Sequence, residues 1–176
     1  DYKNYILGFN YFDSLSEGAS LAMKMNSNDK KYEQLKTLLL LVYTLNSHKM
    51  IFSSDEFGSL ETFNFDKKIN IFKQNESEKD FNEFYKKLSD FYIRNKNLYE
   101  NESKTKILEI EGYSLYAFKR ICKNEEYLII INLTDLEYKI DLPEKIEKVL
   151  TSYNENYNSK NKLYIPAFGS GIFKIK

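Results

Sequence analysis

The sequence predicts an α+β chain in which two strand–helix units of a parallel sheet precede an antiparallel all-β sandwich. Two observations support this order. Before residue 103, apolar residues recur at helical spacing in two segments. After it, short apolar or alternating segments follow one another about every ten residues. We therefore expect two parts, residues 1–102 and residues 103–176.

The first part is predicted to contain two helices. Residues 28–47 form a broad apolar face, and residues 27–29 carry side-chain oxygens suited to the free amide groups of a helix start. A second helix is predicted over residues 78–97, with a capping box formed by Ser77 and Asp80. One face of this helix is apolar and contains Phe81, Phe84, Tyr85, Leu88, Phe91 and Tyr92.

Residues 5–9 and 49–53 are predicted to be neighbouring parallel strands. Each is short and apolar, and strand, helix, strand, helix is the order of a parallel α/β unit. Two such units cannot shield both faces of a parallel sheet, so we expect the end of a larger sheet. The chain begins with Asp1 rather than Met, and we expect it to be a piece of a longer protein. The second helix is expected to dock on the sandwich, and the first part to be the less stable.

The second part is predicted to contain about seven strands separated by polar turns. Residues 127–133 are apolar almost without alternation, which is typical of a central strand. The predicted strands lie in the segments KILEI, SLYAFKR, EYLIIINL, YKIDL, EKVLTSY, KLYIPAF and GIFKIK.

Composition excludes several function classes. The 26 basic and 26 acidic residues give no net field for nucleic acid or an anionic membrane. The longest apolar runs are far shorter than the roughly 20 residues that span a bilayer. Cys122 and His48 are the only residues of their kinds, so we expect no disulfide, no zinc cluster, no other metal site and no cofactor. One cysteine favours a reducing compartment, and we expect a cytoplasmic protein.

Several segments resemble the α-amylase family of glycoside hydrolases. LKTLLLLVYTLNS, KMIF and SSDEFG are similar to the seventh helix and eighth strand of its (β/α)8 barrel, and FYKKLSDFYIRNKNLY to the last barrel helix. YSLYAFKR, EYLIIINLTD and YIPAFGSGIFKI resemble the C-terminal β-sandwich of that family. The resemblance implies that residues 1–102 are the C-terminal portion of a catalytic barrel and residues 103–176 the sandwich domain.

The resemblance also implies an activity. Members of this family cleave or rearrange α-1,4 or α-1,6 glucosidic bonds by a retaining double displacement. Glu-Phe-Gly after the predicted eighth strand is most similar to branching and debranching members. Glycogen branching is therefore the first reaction that it implies, with a glycogen- or starch-like α-glucan as the partner.

The adjacent acids Asp55 and Glu56 follow the predicted eighth strand. In an extended strand, neighbouring side chains point to opposite faces, whereas paired-carboxylate catalysis needs carboxylates about 5 to 10 Å apart across one sugar. The resemblance places these acids beside the active-site face rather than in the reacting pair. We expect a structural role for both, and their position makes them candidate substrate-binding residues.

In the resembled family, the nucleophile and the general acid follow the fourth and fifth strands, which would precede Asp1. The chain alone is therefore expected to be inactive. A His-Asp pair after the seventh strand falls on LGFNYFDS, which places Tyr11 and Phe12 at that pair. Tyr11 is a candidate for binding sugar hydroxyls, but a phenyl ring cannot carry the negative charge that the transition state attracts.

Asp13 lies one position later than the acid of that pair. A slip of one residue makes Asp13 a candidate displaced transition-state stabiliser. The alternative is an eroded site in which Asp13 caps a loop or a helix. Two other functions stay open: a non-catalytic relative that binds glucan or serves as a scaffold, and a structural module used in assembly.

Overall fold

A computed structural model describes residues 5–15, 18–62, 64–68, 73–99, 103–122, 125–142, 144–154, 158–159 and 162–176. Along these ranges, the first part contains β1 (Ile6–Gly8), α1 (Tyr11–Leu15), α2 (Lys31–Thr44), β2 (His48–Met50) and α3 (Glu76–Arg94). The second part contains β3 (Lys104–Leu108), β4 (Tyr116–Cys122), β5 (Glu125–Ile131), β6 (Tyr138–Asp141), β7 (Ile146–Thr151), β8 (Asn158–Ser159), β9 (Lys162–Ile165) and β10 (Ser170–Ile175).

The strands β1 and β2 lie side by side and are parallel, which confirms the predicted arrangement. Ile6 lies opposite His48, and Gly8 lies opposite Met50. A Cβ atom on Gly8 would lie 1.7 Å from the carbonyl oxygen of Met50, so the close approach requires glycine. The second strand ends at Met50 and not at residue 53 as predicted, because the chain then turns.

Helix α2 begins later than predicted. Its N-cap residue is Lys30, which forms no side-chain cap. Ser27 instead accepts a hydrogen bond from the Lys30 amide at 3.0 Å, one turn before the helix. The prediction that residues 27–29 supply side-chain oxygens to free amides at the helix start is confirmed in part, for Ser27. The helix is held by burial of its apolar side chains, since Leu35, Leu39 and Leu40 are fully buried.

Helix α3 begins with a capping box formed by Asn75 and Glu78. The Asn75 side chain accepts from the Glu78 amide at 2.9 Å, and the Glu78 carboxylate accepts from the Asn75 amide at 2.8 Å. The predicted box of Ser77 and Asp80 is wrong, because the longer Glu78 side chain closes a box two residues earlier. The predicted apolar face is confirmed, with Phe81, Phe84 and Leu88 buried.

The antiparallel sandwich is confirmed. Among the described residues, one sheet has the strand order β3-β4-β5-β10-β7 and the other has the order β6-β9-β8. β5 is central in the larger sheet, as its apolar sequence predicts. The described segments contain one more strand than expected, the two-residue β8. Residues 155–157 and 160–161, where the sequence predicts a turn, lie outside the described ranges.

The larger sheet is the middle layer of the molecule. Alternate residues of β5 point to opposite faces, with Ile129 and Ile131 in a core shared with α2 and α3. Leu128 and Ile130 belong to a second core against the smaller sheet. The first core therefore contains side chains from both sides of the proposed boundary at residue 103. The division into residues 1–102 and 103–176 stays a prediction.

The helix that lies directly on the sheet is α2, which contacts β5 and β10. The expectation that the second helix docks on the sandwich is confirmed in part: α3 packs chiefly on α2, and at its C-terminal end the Tyr127 hydroxyl of β5 donates to the Asn95 side chain at 3.0 Å. One ring of α3 does reach the sheet, since Phe91 meets Tyr127 edge-on at 5.4 Å. Thr37 joins α2 to the sandwich: its hydroxyl contacts the Phe168 carbonyl and lies 2.9 Å from the Ser170 hydroxyl.

Replacing Thr37 by Val is expected to lower the free energy of unfolding by about 1–3 kcal/mol. Valine fills the same space but leaves the Phe168 carbonyl and the Ser170 hydroxyl without this partner in a buried place. Urea denaturation followed by circular dichroism measures the loss. Thr62→Val is the control, because Thr62 is exposed and its change is expected to stay within about 0.5 kcal/mol. Equal losses in both variants would contradict this account.

Candidate functional site

The candidate site is the edge at which β1 and β2 end. Because the two strands are parallel, the segments that follow them, residues 10–13 and 52–58, start at the same edge of the sheet. In barrel enzymes this carboxyl-terminal edge carries the active site. All four predicted site residues, Tyr11, Asp13, Asp55 and Glu56, lie in these two segments.

Asp13 forms the end of a short hydrogen-bonded turn. Its Oδ2 atom accepts from the Asn10 amide at 2.8 Å, and the Asn10 side chain accepts from the Phe12 amide at 2.8 Å. The Lys24 ammonium contacts the Asp13 carbonyl oxygen. This pattern is that of a cap for the helical turn α1. The role of Asp13 as a transition-state stabiliser stays a prediction.

An exposed group of aromatic rings surrounds Tyr11. The Tyr11 ring meets Phe12 edge-on at 5.5 Å and Phe52 at 5.8 Å, and it stacks on Phe65 at 5.9 Å with an interplanar angle of 27°. The side chain of Phe65 is 75% exposed. Sequence reasoning missed Phe52 and Phe65. The sequence indicates these two residues only weakly: Phe52 is an aromatic residue that follows a strand, and Phe65 lies in the aromatic FNFD segment.

Asp55 and Glu56 are not extended, contrary to the geometry assumed for them. Asp55–Phe57 form a 3-10 turn that begins after Ser54 at φ 81° and ends at Gly58 at φ 61°. Asp55 is buried, and the Glu56 carbonyl accepts from the Asn82 side chain at 2.8 Å, which ties the turn to α3. The predicted turn at Gly58 is confirmed. The substrate-binding role of both acids stays a prediction.

The charge of Glu56 acts on the layer between α2 and α3. Tyr43 and Tyr85 meet there, with their hydroxyl oxygens 2.8 Å apart. Burial is the main cause that raises the pKa of each tyrosine, and Glu56 raises both further. Both tyrosines are therefore neutral in the folded protein at physiological pH.

His48 and Lys49 lie on β2 and have different surroundings. His48 is exposed, and its ring centroid lies 6.0 Å from that of Tyr99. The Lys49 ammonium donates to the carbonyl oxygens of Leu45 at 2.6 Å and Ser47 at 2.9 Å, just beyond the end of α2. Burial, with a smaller effect of the Arg120 charge, lowers the pKa of Lys49 to about 7.

Lys49 is expected to make the stability of the protein rise with pH. Between its folded pKa of about 7 and its ordinary pKa of 10.5, the unfolded state binds more protons than the folded state, so the free energy of unfolding increases. Above pH 10.5, where the effect of Lys49 ends, the trend should reverse, because Tyr43, whose pKa is raised by burial, loses its proton only on unfolding. Thermal denaturation across this range measures both slopes.

Lys49→Met is expected to remove the rise, whatever its effect on the absolute melting temperature. Lys79→Met is the matched control, because Lys79 is exposed on α3, and this variant should keep the rise. A wild-type melting temperature that stays level across the window would contradict the burial of the Lys49 ammonium.

In the ranges that the structure describes, no group of three or more His, Cys, Asp or Glu side chains is arranged to hold a metal ion. None of the described helices combines the length and the apolar character needed to cross a bilayer. Cys122 is the last residue of β4, and in the antiparallel register it lies opposite Glu125 of β5.

Residues 115–172 match the family model described as the alpha-amylase SusG C-terminal domain. This segment begins just before β4 and ends in β10, and it therefore covers most of the sandwich. A comparison with curated protein sequences gives no significant match.

The chain is similar in fold to several solved structures. One is AmyP in complex with maltotriose, with a TM-score of 0.71, 13% identity, and coverage of 97% of this chain and 41% of that one. Eubacterium rectale Amy13B has a TM-score of 0.70, 12% identity, and coverage of 97% and 39%. The trehalose-6-phosphate hydrolase TreA of Bacillus licheniformis has a TM-score of 0.68, 12% identity, and coverage of 97% and 43%.

These similarities establish the fold. The chain shares the architecture of the C-terminal region of these proteins, and it spans about two fifths of their length. The α+β organisation predicted from the sequence, with strand–helix units before an antiparallel sandwich, is confirmed.

Proposed function

We propose that the chain is the C-terminal region of an enzyme that acts on α-glucans, and that the reaction of the whole protein is glycogen branching. The match of residues 115–172 to an alpha-amylase C-terminal domain supports the substrate class. So does the maltotriose bound to the similar structure AmyP. The Glu-Phe-Gly sequence at residues 56–58 supports branching over simple hydrolysis.

The observation that carries the proposal is the shared edge at the ends of β1 and β2. Parallel pairing brings Tyr11 and Phe52 together there, and Phe65 from a later loop stacks on Tyr11, so that the aromatic group is largely exposed. Aromatic rings suit the apolar faces of sugar rings, and the phenol of Tyr11 adds a hydrogen-bonding group. We assign this edge to the glucan, with Tyr11 as a binding residue and Asp55 and Glu56 supporting the adjacent turn.

We assign the bond-breaking carboxylates to the rest of the protein. A retaining mechanism needs a nucleophilic carboxylate and an acid–base carboxylate about 5 Å apart. We place both on barrel strands that precede this chain, so the chain alone should not cleave glucan. The single cysteine favours a reducing compartment, and we propose a cytoplasmic location.

The test compares the product of the whole gene with the isolated 176-residue chain on amylose and amylopectin. For the whole product we expect new α-1,6 branch points, measured after debranching as shorter side chains, with little increase in reducing ends. We expect no change in either polymer with the chain alone. An increase in reducing ends without new branches would show hydrolysis and refute branching, whereas no action on either polymer would refute the enzyme proposal.

A second candidate is a non-catalytic relative that binds glucan, and the hydrogen bonds of Asp13 favour it. The Oδ2 atom of Asp13 already accepts a hydrogen bond as a cap. Phe12 occupies the position of the aspartate in the His-Asp pair of the resembled family. Electrophoresis of the chain through a gel that contains glycogen tests this candidate. Retardation relative to a glycogen-free gel supports binding, and unchanged mobility counts against it.

Asp13→Asn separates the two roles of this residue in the whole gene product. We expect the glucan activity to stay within about twofold and the free energy of unfolding to fall by about 1 kcal/mol, because an amide is a weaker partner for the Asn10 amide hydrogen. A carboxylate that stabilises the transition state would instead lose on the order of 10²-fold in kcat. Steady-state kinetics and urea denaturation of the same sample measure both quantities.

A further inference from the structure

The larger sheet of the sandwich is wider than the layer that covers it on the side away from the helices. Among the described residues, the larger sheet has five strands and the covering sheet has three. At the uncovered part, a cavity of about 500 Å³ lies between β3, β4 and β5 and the segment that follows β6. Pockets for small molecules have volumes of about 300–1,000 Å³.

The floor and one wall of the cavity are apolar. Tyr113 forms the wall, with its ring edge-on to Tyr138 at 5.7 Å and its hydroxyl donating to the Lys139 carbonyl oxygen at 3.1 Å. These two contacts hold the ring in place. The floor consists of aliphatic side chains from β3, the loop after it, β5 and the end of β6, namely Leu108, Ile110, Leu128 and Leu142.

The rim of the cavity is acidic. Four carboxylates and two ammonium groups line it: Glu109, Glu111, Asp141, Glu144, Lys106 and Lys119. The Lys119 ammonium lies 2.7 Å from the carboxylates of both Glu126 and Glu144, so its charge is already compensated. Burial lowers the pKa of Lys119, but these two carboxylates outweigh it and the pKa lies above its ordinary value. The local field is therefore negative, although the whole chain is neutral.

We propose that this cavity binds a small organic cation with an apolar body, such as an arylalkylammonium or alkylammonium ion. The aliphatic floor removes the hydrocarbon part from water, which is favourable by roughly 25 cal/mol per Å². The carboxylates of Glu109 and Glu111 lie at the rim, where the ammonium group stays partly hydrated. A sugar fits this lining less well, because the hydroxyl groups that face the aliphatic floor would lose water without gaining partners there.

The test uses three probes of similar size and different charge: phenethylammonium, 3-phenylpropan-1-ol and 3-phenylpropanoate. Each is titrated into the 15N-labelled chain, and the shifts of the backbone amide signals give the location and the Kd. We expect phenethylammonium to shift the signals of β3 and β5 around the cavity. The alcohol should bind more weakly and the carboxylate most weakly, and added salt should weaken only the ammonium ion.

The double variant Glu109→Gln, Glu111→Gln tests the rim. Both side chains are exposed, so the fold should persist, and circular dichroism checks it. Binding of phenethylammonium should weaken roughly threefold to tenfold, with no change for the alcohol. Glu33→Gln on α2 is the matched control and should leave both affinities unchanged, since Glu33 is exposed and not part of the lining.

Three results would overturn the proposal: no binding of any probe, equal affinity for the carboxylate and the ammonium ion, or an ammonium affinity that the double variant leaves unchanged. None of them bears on the glucan proposal, which concerns the opposite part of the chain.

Discussion

Arg120→Ala is expected to lower the free energy of unfolding by about 3–5 kcal/mol. Arg120 is 1% exposed, and its guanidinium contacts the hydroxyl groups of Thr105 and Ser103 and the Leu98 carbonyl oxygen. It therefore holds β4 to the segment that connects the helices to β3. Alanine would leave a large cavity and remove the partner of two buried groups, the Ser103 hydroxyl and the Leu98 carbonyl. Chemical denaturation at neutral pH measures the loss.

Two further variants show what the arginine contributes. Arg120→Met keeps most of the volume but not the hydrogen bonds, so a smaller loss than with alanine is expected. Arg94→Ala removes an exposed arginine that lies 3.3 Å from Asp90, and about 0.5 kcal/mol or less is expected. Arg120→Ala should also raise the pKa of Lys49, because the arginine charge lowers it. A loss as small as that of Arg94→Ala would contradict the structural role of Arg120.

Gly58→Ala is expected to destabilise the protein by about 2–4 kcal/mol. Two causes act together at this position. The backbone has φ 61°, which a residue with a side chain rarely adopts. A Cβ atom there would also lie 2.6 Å from the ring of Phe81, which is fully buried in the core against the helices. Thermal or urea denaturation measures the combined effect.

Gly112→Ala separates the two causes. Gly112 has φ 81°, but a Cβ atom there meets no other atom within 4 Å. Its substitution should therefore cost only the backbone strain, about 1 kcal/mol. The difference between the two variants measures the overlap with Phe81. Adding Phe81→Leu to Gly58→Ala should reduce the cost of the alanine, because a smaller side chain relieves the overlap. Equal costs at the two glycines would show that the core accommodates the methyl group.

The fold was largely predictable because its elements have strong local patterns. The apolar stripe of α3 and the nearly unbroken apolar run of β5 each predict their place in the structure, and both are confirmed. The helix starts were less predictable, because several residues compete for one capping position. Asn75 and Ser77 are both suitable caps, and the choice depends on whether the acid three residues later is long enough to reach back.

Other features depend on tertiary contacts that leave no periodic pattern. Nothing in the alternation of β4 indicates that Arg120 is buried, because its partners lie on a segment 15 to 22 residues away. The contact of Thr37 with Phe168 and Ser170 joins residues more than 130 positions apart. For the candidate site, the family resemblance of LGFNYFDS predicted that Tyr11 and Asp13 follow a strand, and both lie just after β1. The neighbouring Phe65 lies on a loop whose path the sequence pattern does not specify.

The five-stranded sheet carries an apolar cluster on each of its faces. Both clusters include side chains of the same strands, so loss of either would expose one face of the sheet to water. Neither half of the chain is therefore expected to unfold by itself. We expect a single cooperative transition, with the amide hydrogens of β5 exchanging only through global unfolding. The amides of β1 and β2 should exchange far earlier, because this pair of strands is bonded mainly to itself at the periphery, and it should fray while the rest of the molecule stays folded.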